Sequence, residues 1–317
     1  MPELDLDAIL ASEPEALPGD HRSGFVCLAG RPNVGKSTLL NAMVGSKVAI
    51  VTEVPGTTRN AIRGVVTRDD LQLVFVDTPG VTKPRTLLNR RLNELVAQTW
   101  STVDVVCLLV DAAAGVGRGD AYIAEELREV GSPVICVVNK EDRASKDDVL
   151  VAINELTELG DWAEIVPTSA VTGFNVEHLV EVLAGYVPEG PRYFPRGVVT
   201  DQPERQLIAE LIRERFITRV FEEVPHSIAV VIDEIEVEEA DEEGLPPLTR
   251  IDASIFVERE SQKGIVIGRG GRVLKEANTQ ARHELEGLLG TKVFLDVRVK
   301  VAKEWQSDPR RLERFGY

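Results

Sequence analysis

The sequence predicts two domains: an α/β domain on a mainly parallel sheet with helices on both faces, then a smaller α+β domain. Three observations carry this reading. The first two-thirds of the chain alternates short apolar runs with helical patterns, as parallel sheets with crossover helices require. A glycine-bearing loop, Gly30–Thr38, joins the first apolar run to the first helical pattern. A break at Tyr186–Gln202, carrying Pro188, Gly190, Pro191, Pro195 and Gly197, separates that alternation from a stretch of different order.

The predicted strands of the first domain are Phe25–Ala29, Ala61–Thr67, Leu71–Asp77, Val103–Asp111, Val134–Asn139 and Glu164–Thr168. Each is a short, largely apolar run rich in β-branched residues, as strands buried on both faces should be. The predicted helices between them are Ser37–Val44, Leu87–Thr102, Ala121–Val130, Lys146–Glu158 and Val176–Leu183. The second domain opens with an amphipathic pattern over Pro203–Glu223, with Leu207, Ile208, Leu211, Ile212, Phe216 and Val220 on one stripe. Strand-like runs Ser227–Val237 and Arg250–Glu258 follow, joined by an acidic hairpin loop, Glu238–Leu248. Then come Gly264–Ile267, the loop Gly268-Arg269-Gly270-Gly271, two helical patterns over Arg272–Leu289, and a last strand, Lys292–Val301. We expect a disordered acidic extension over residues 1–21, the α/β domain over 22–187, a linker over 188–202 and the α+β domain over 203–317.

Composition narrows the class. The 317 residues carry a net charge of −16. Charge is uneven, however, with 13 Lys and Arg against 9 Asp and Glu from Ile255 onward. A nucleic-acid site is therefore compatible with the second domain. Cys27, Cys107 and Cys136 all lie in apolar runs, as reduced core thiols do. His21, His178, His226 and His283 are scattered and show no metal-ligand spacing. No basic, apolar signal segment opens the chain and no run reaches membrane-spanning length.

Gly30-Arg31-Pro32-Asn33-Val34-Gly35-Lys36-Ser37-Thr38 fits G-x-x-x-x-G-K-[ST]. Backbone N–H groups of such a loop, and the helix start behind it, face a triphosphate. Lys36 is placed to reach the β- and γ-phosphates, and Ser37 to ligate Mg²⁺. Four further segments follow in the order a guanine-nucleotide switch needs. Gly56-Thr57-Thr58-Arg59 offers a threonine to the metal, Thr58 being our choice and Thr57 the alternative. Asp77-Thr78-Pro79-Gly80 offers a carboxylate to Mg²⁺ through water and the Gly80 N–H to the γ-phosphate. Asn139-Lys140-Glu141-Asp142 is N-K-x-D: Asp142 accepts from guanine's ring N–H and amino group, where adenine has nothing to give. Asn139 braces the loop and Lys140 lies along the purine. Ser169-Ala170 closes the set, with the Ala170 N–H toward the guanine carbonyl. D-x-x-G or Ser-Ala alone is only a turn; five segments in order are a site.

These motifs resemble the translation-factor class of GTPases, and the string from Gly30 to Asn41 with Thr57-Thr58-Arg59 resembles the Era family of bacterial ribosome-assembly GTPases. Phe256–Lys263 leading into Val266-Ile267-Gly268, Gln280-Ala281-Arg282, and Val299-Lys300-Val301 resemble the same family's C-terminal part. The resemblance implies a P-loop GTPase domain and a type II KH domain, covering about Ser23 to Tyr317. In KH domains a G-x-x-G loop clamps single-stranded backbone. Here Gly268, Arg269, Gly270, Gly271, Arg272 and Lys275 would meet RNA, with Ile267 and Val273 lining the groove. Lys300, Lys303 and Trp305 are further candidates, although packing is the commoner role for Trp305. Glu276-Ala277-Asn278 departs from the more apolar pair expected behind the groove.

The resemblance also implies GTP/GDP, Mg²⁺ and K⁺ as cofactors, the K⁺ beside Asn33. It implies binding to the 3′ end of 16S rRNA and action in 30S subunit assembly. Val81 stands where many switch GTPases place a water-orienting glutamine, so we expect slow basal hydrolysis, with Lys36, Asn33, Thr58 and Gly80 as the catalytic set. The rivals are an RNA-binding module whose nucleotide is structural, a tRNA-modification GTPase, and a signalling GTPase peripheral to the cell membrane. We expect a cytoplasmic monomer.

Overall fold

A computed structural model describes residues 18–81, 86–238 and 247–317. Residues 1–17, most of the Glu238–Leu248 connection and the segment after Val81 lie outside the described residues.

The first sheet has six strands: β1 (Arg22–Gly30), β2 (Ile62–Thr67), β3 (Leu71–Asp77), β4 (Val105–Asp111), β5 (Val134–Asn139) and β6 (Glu164–Pro167). Their order is β2-β3-β1-β4-β5-β6. All neighbours are parallel except β2 and β3, which pair antiparallel across a tight turn. The residues of β1, β4 and β5 alternate between two apolar layers. Val26, Leu28, Cys107 and Leu109 pack with α1 (Lys36–Val44) and the later α5 (Val176–Ala184). Cys27, Leu108 and Cys136 pack on the other face. There they meet α2 (Leu87–Trp100), α3 (Arg118–Leu127) and α4 (Lys146–Leu159). The strand order reverses at β1, so the carboxyl ends of β1, β3, β4 and β5 open one crevice.

Stretch 188–202 runs along this sheet. Val65 N–H donates to the Val199 carbonyl, and Gln72 Oε1 accepts from the Tyr193 and Phe194 amides.

The second sheet has order β7-β8-β9, from Ala229–Glu238, Leu248–Val257 and Lys292–Val301. The first pair is antiparallel and the second parallel. Its apolar face is covered by α6 (Glu204–Ile217) and α9 (Arg272–Leu289). The single turn α7 (Val224–Ser227) precedes β7, and α8 (Glu260–Ile267) precedes the glycine loop.

Two expectations need correction. Arg272–Leu289 forms one helix, α9, and not two; the loop's other helix is α8, on its N-terminal side. Gly264 lies inside α8, but Gln262 Oε1 caps the helix start by accepting from the Glu258 and Arg259 amides, and the cost of one glycine is only ~1 kcal/mol. The helix over 203–223 also ends earlier, at Ile217; Val220 is buried in the turn that follows. At the departure near the groove, Ala277 is fully buried and Asn278 Nδ2 donates to the Leu295 carbonyl (3.0 Å), tying α9 to β9.

The last residues fold back on the first domain. Trp305 is fully buried, its indole N–H donating to the Ser227 carbonyl (2.9 Å). It packs with Phe315 and Tyr317, beside α10 (Pro309–Arg314) and Leu88 of α2.

Candidate nucleotide and RNA site

The loop from Gly30 to Lys36 crosses the carboxyl end of β1 and lines a cleft of about 650 Å³ with the 50–58 segment, Asn139, Asp142 and Ala170. The backbone turns through left-handed φ at Asn33 (65°) and Gly35 (102°). Gly35 has a second constraint: a Cβ there would lie 2.3 Å from the Asn139 amide nitrogen. Only glycine allows both the turn and that approach.

Two braces hold the loop from the sheet side. Asn139 Nδ2 donates to the Val34 carbonyl (2.9 Å), and its Oδ1 accepts from the Ala170 amide (3.1 Å). One side chain thus ties the N-K-x-D strand to both the phosphate loop and the Ser-Ala segment. Lys140, at φ 65°, donates to the Asn33 carbonyl (2.6 Å) and to Asp111 Oδ2 (2.7 Å), so its stem crosses the cleft where a purine would stack. Asp142 accepts from the Ser169 hydroxyl (2.5 Å).

The third brace was not visible in the sequence. Arg31 forms two bonds to Asp120, Nε to Oδ1 and Nη2 to Oδ2, each 2.7 Å. Asp120 is fully buried at the start of α3 and also accepts from the Gly117 amide (2.8 Å). A charged pair 89 residues apart leaves no pattern in a single chain.

Lys36 is buried and donates to the Gly30 and Arg31 carbonyls (2.9 and 3.0 Å). Burial lowers its pKa, and Asp77 partly opposes this. Burial pushes the Asp77 carboxyl up to about 6, with Lys36 and Ser37 pulling it back. Ser37 Oγ lies 2.6 Å from Asp77 Oδ2 and 3.2 Å from Thr58 Oγ1. Asp77 Oδ1 is buried and finds no hydrogen-bond partner among the described residues. Three hard oxygens converge, one from a buried carboxylate with a spare lone-pair face, and this set fits Mg²⁺.

The geometry separates the two threonines. Thr57 Oγ1 turns away, bonded to the Val54 carbonyl (2.7 Å) and Thr52 Oγ1 (2.6 Å). Thr58 Oγ1 is the one beside Ser37. Thr78 Oγ1 donates to the Leu28 carbonyl (3.0 Å), locking the end of β3 to β1. Gly80 packs against Pro32, so the D-x-x-G turn and the phosphate loop touch. Asn33 Nδ2 donates to the Glu53 carbonyl (2.7 Å), which joins the phosphate loop to the 50–58 segment. Thr38 lines the cleft beside Ser37, and Pro79 sits in the D-x-x-G turn between Thr78 and Gly80.

At the other site, Gly268, Gly270 and Gly271 all have positive φ. A Cβ on Gly268 would meet Val273 at 2.6 Å, whereas Gly270 faces open space. Arg269 and the neighbouring Arg272 and Lys275 form a charged rim around the turn. Ile267 and Val273 are half-buried against the core below it. This combines near backbone, a cationic rim and an apolar floor, as a single-stranded nucleic acid requires. Lys300 is half-exposed, 3.9 Å from Asp233 across the sheet and over Phe256, and Trp305 is wholly internal.

Comparison with known proteins agrees with this geometry. Residues 25–140 match the family model described as a 50S ribosome-binding GTPase, and residues 223–306 match a KH domain. The chain is 53% identical to GTPase Era of Mycobacterium avium (strain 104) over 303 residues, 94% of this chain and 99% of that protein. It is 53% identical over 304 residues to GTPase Era of Mycobacterium tuberculosis (strain ATCC 25618 / H37Rv), with the same coverage. The crystal structure of a point variant of Aquifex aeolicus Era bound to GDP·AlF4⁻ superposes with a TM-score of 0.88 at 39% identity, covering 93% of this chain and 99% of that one. The structure of Era with MgGDPNP and nucleotides 1506–1542 of 16S rRNA superposes at 0.89 and 39% identity, covering 94% and 99%.

Proposed function

Because the chain belongs to the Era family of GTPases, we propose that its KH domain binds the 3′ end of 16S rRNA and that GTP hydrolysis times its action in 30S subunit assembly. The observation that carries this is the presence on one chain of the complete nucleotide cleft and a G-x-x-G turn with a cationic rim. The likeness to Era held with MgGDPNP and nucleotides 1506–1542 of 16S rRNA supports it.

In this reading Gly30 to Thr38 wraps the phosphates and Lys36 neutralises the β- and γ-oxygens. Ser37, Thr58 and, through water, Asp77 hold Mg²⁺. Bound Mg²⁺ supplies charge to the transferring phosphoryl group. Thr78, Pro79 and Gly80 shape the γ-phosphate turn. Asn139, Lys140, Asp142, Ser169 and Ala170 select guanine. Asn33 is the candidate K⁺ neighbour: with its amide nitrogen committed to Glu53, its amide oxygen is the end left for a cation. Equal turnover in Na⁺ and K⁺ would remove that role. Ile267 to Arg272 and Lys275 form the RNA clamp. We assign 22–187 to the GTPase domain, 188–202 to the connection and 203–317 to the KH part. No helix among the described residues is long and apolar enough to cross a membrane; we place the protein's action in the cytoplasm, on ribosomal particles.

The test is binding of a short single strand from the 16S rRNA 3′ end, with GDP and with a non-hydrolysable GTP analogue. Gly270→Asp is the matched variant, because the added side chain enters open space, Asp is among the few residues that visit the left-handed φ of 62° held there, and it carries the wrong charge. Tighter binding with the analogue, lost in the variant, is expected. Binding indifferent to nucleotide would reduce the protein to two independent modules.

A further inference from the structure

The threonine segment of the nucleotide cleft is held by the other domain. Arg213, on α6, is buried and donates from Nη2 to the Thr57 carbonyl. Its position is fixed by Glu210 one turn earlier, Nε to Oε1 at 2.9 Å and Nη2 to Oε2 at 2.5 Å. On the other side of Thr58, the Arg59 side chain leaves its own domain. It is buried and donates to the Ile228 and His226 carbonyls (2.7 and 2.8 Å), with its guanidinium 5.5 Å from the ring centres of Trp305 and Tyr317. The upstream end of the same segment is held too. Ile50 is part of the second domain's core, and the Val51 amide donates to Glu214 Oε1 (3.1 Å). Lys47 bridges Glu214 and Glu284 (2.6 and 2.5 Å).

We propose that Arg213 is a positioning residue for GTP hydrolysis: it fixes the Thr57 carbonyl, and so aims the Thr58 hydroxyl at the Ser37–Asp77 metal pair, from the KH domain. The inference rests on the reading that Thr58 completes the Mg²⁺ shell. Three features support a role beyond packing. A guanidinium buried between domains is costly to desolvate, and apolar side chains would fill the space without that cost. Its bond outside its own helix ends on the peptide that precedes Thr58. The contact also gives the two domains a direct mechanical connection. A displacement of α6 moves a hydroxyl that lies 3.2 Å from Ser37, and a positional error of about 1 Å costs as much as ~100-fold in rate. The KH domain in its docked position thereby licenses hydrolysis, and an undocked one does not.

The test compares wild type with Arg213→Lys, Thr58→Ala and the volume-matched double variant Glu210→Leu/Arg213→Met in the full-length protein. GDP affinity and single-turnover GTP hydrolysis are measured across a Mg²⁺ titration. In the double variant, GDP affinity stays within about threefold, hydrolysis falls by about tenfold or more and the Mg²⁺ needed for half-maximal rate rises. Arg213→Lys, retaining one donor for Thr57, recovers part of the rate. If the double variant does not bind GDP, Arg213→Lys alone decides through the Mg²⁺ requirement: a rise supports the proposal, and no change overturns it. Wild-type rates and Mg²⁺ dependence in the Arg213 variants, with Thr58→Ala impaired, would overturn this inference and leave the assignment of Thr58 standing. Wild-type behaviour in Thr58→Ala would overturn both.

Discussion

Replacing Asp120 by alanine isolates the brace between α3 and the phosphate loop. Asp120 accepts three bonds: two from Arg31 and one from the Gly117 amide. Hydrogen bonds to a charged group are worth ~1.5–3 kcal/mol each in net stability, and breaking a fully buried pair costs ~3–5 kcal/mol. The lower end applies here, because the Arg31 side chain is 31% exposed and can turn to water once its partner is gone. The Gly117 amide is left without its acceptor. We expect a loss of about 2–3 kcal/mol. The loop also carries the Arg31 carbonyl, which accepts from Lys36, so GDP affinity falls with it by about three- to tenfold, ~1 kcal/mol. The assay is a double-mutant cycle with Arg31→Ala, read in urea on the first unfolding transition and in parallel by fluorescent-GDP titration. A coupling above about 1 kcal/mol is expected. Additivity within ~0.3–0.5 kcal/mol would show that the two side chains do not act as a pair and refute the reasoning.

Gly35→Ala combines left-handed strain of ~1–2 kcal/mol with displacement of the Asn139 amide, another ~1 kcal/mol. GDP should bind roughly 30- to 100-fold more weakly, and a change under about threefold in titration would contradict this. Thr58→Val should raise the Mg²⁺ requirement for a GTP analogue while sparing GDP, whereas Thr57→Val should have little effect on either; the reverse order would return the metal to Thr57. Burial raises all three thiols, Cys27 to about 12. The folded state therefore holds its thiol protons longer than the unfolded chain. The stability this contributes is complete below about pH 9 and is lost as pH rises from there toward about 12. Native protein should show no thiol reactive to Ellman's reagent at about pH 8, and all three after denaturation; one fast thiol in the native state would sink the assignment of all three to the core.

The segments that line the cleft were legible in the sequence, because each is a short run of residue types with a local signature. Asn139, Lys140 and Ser37 stand where their motifs imply. Thr57 and Thr58 are equivalent in the string but differ in space, the Thr58 hydroxyl lying beside Ser37 and the Thr57 hydroxyl turned to Thr52 and Val54. What the string hid was long-range. Arg31–Asp120 and Arg59–Ile228 join residues 89 and 169 positions apart. On α6, Glu210, Arg213 and Glu214 read as the solvent face of an amphipathic helix, yet all three are buried. The i, i+3 spacing of Glu210 and Arg213 was the available signal, as it permits the internal pair a charged side chain needs in order to be buried. The helix before the glycine loop was missed because local propensity there is weak and tertiary packing decides it.

Ile50 belongs by sequence to the first domain and by packing to the second, at 1% exposure. Folding boundaries and sequence boundaries therefore part company in this chain. A KH fragment cut free at the connection would carry an open apolar notch where Ile50 sits. A chimera taking its KH domain from a more distant relative would inherit a notch shaped for a different residue 50. The unit that can be exchanged intact is the KH domain together with residues 47–59 of its neighbour. A graft that respects the fit has to be cut at that seam, through the middle of what the motifs mark as one domain.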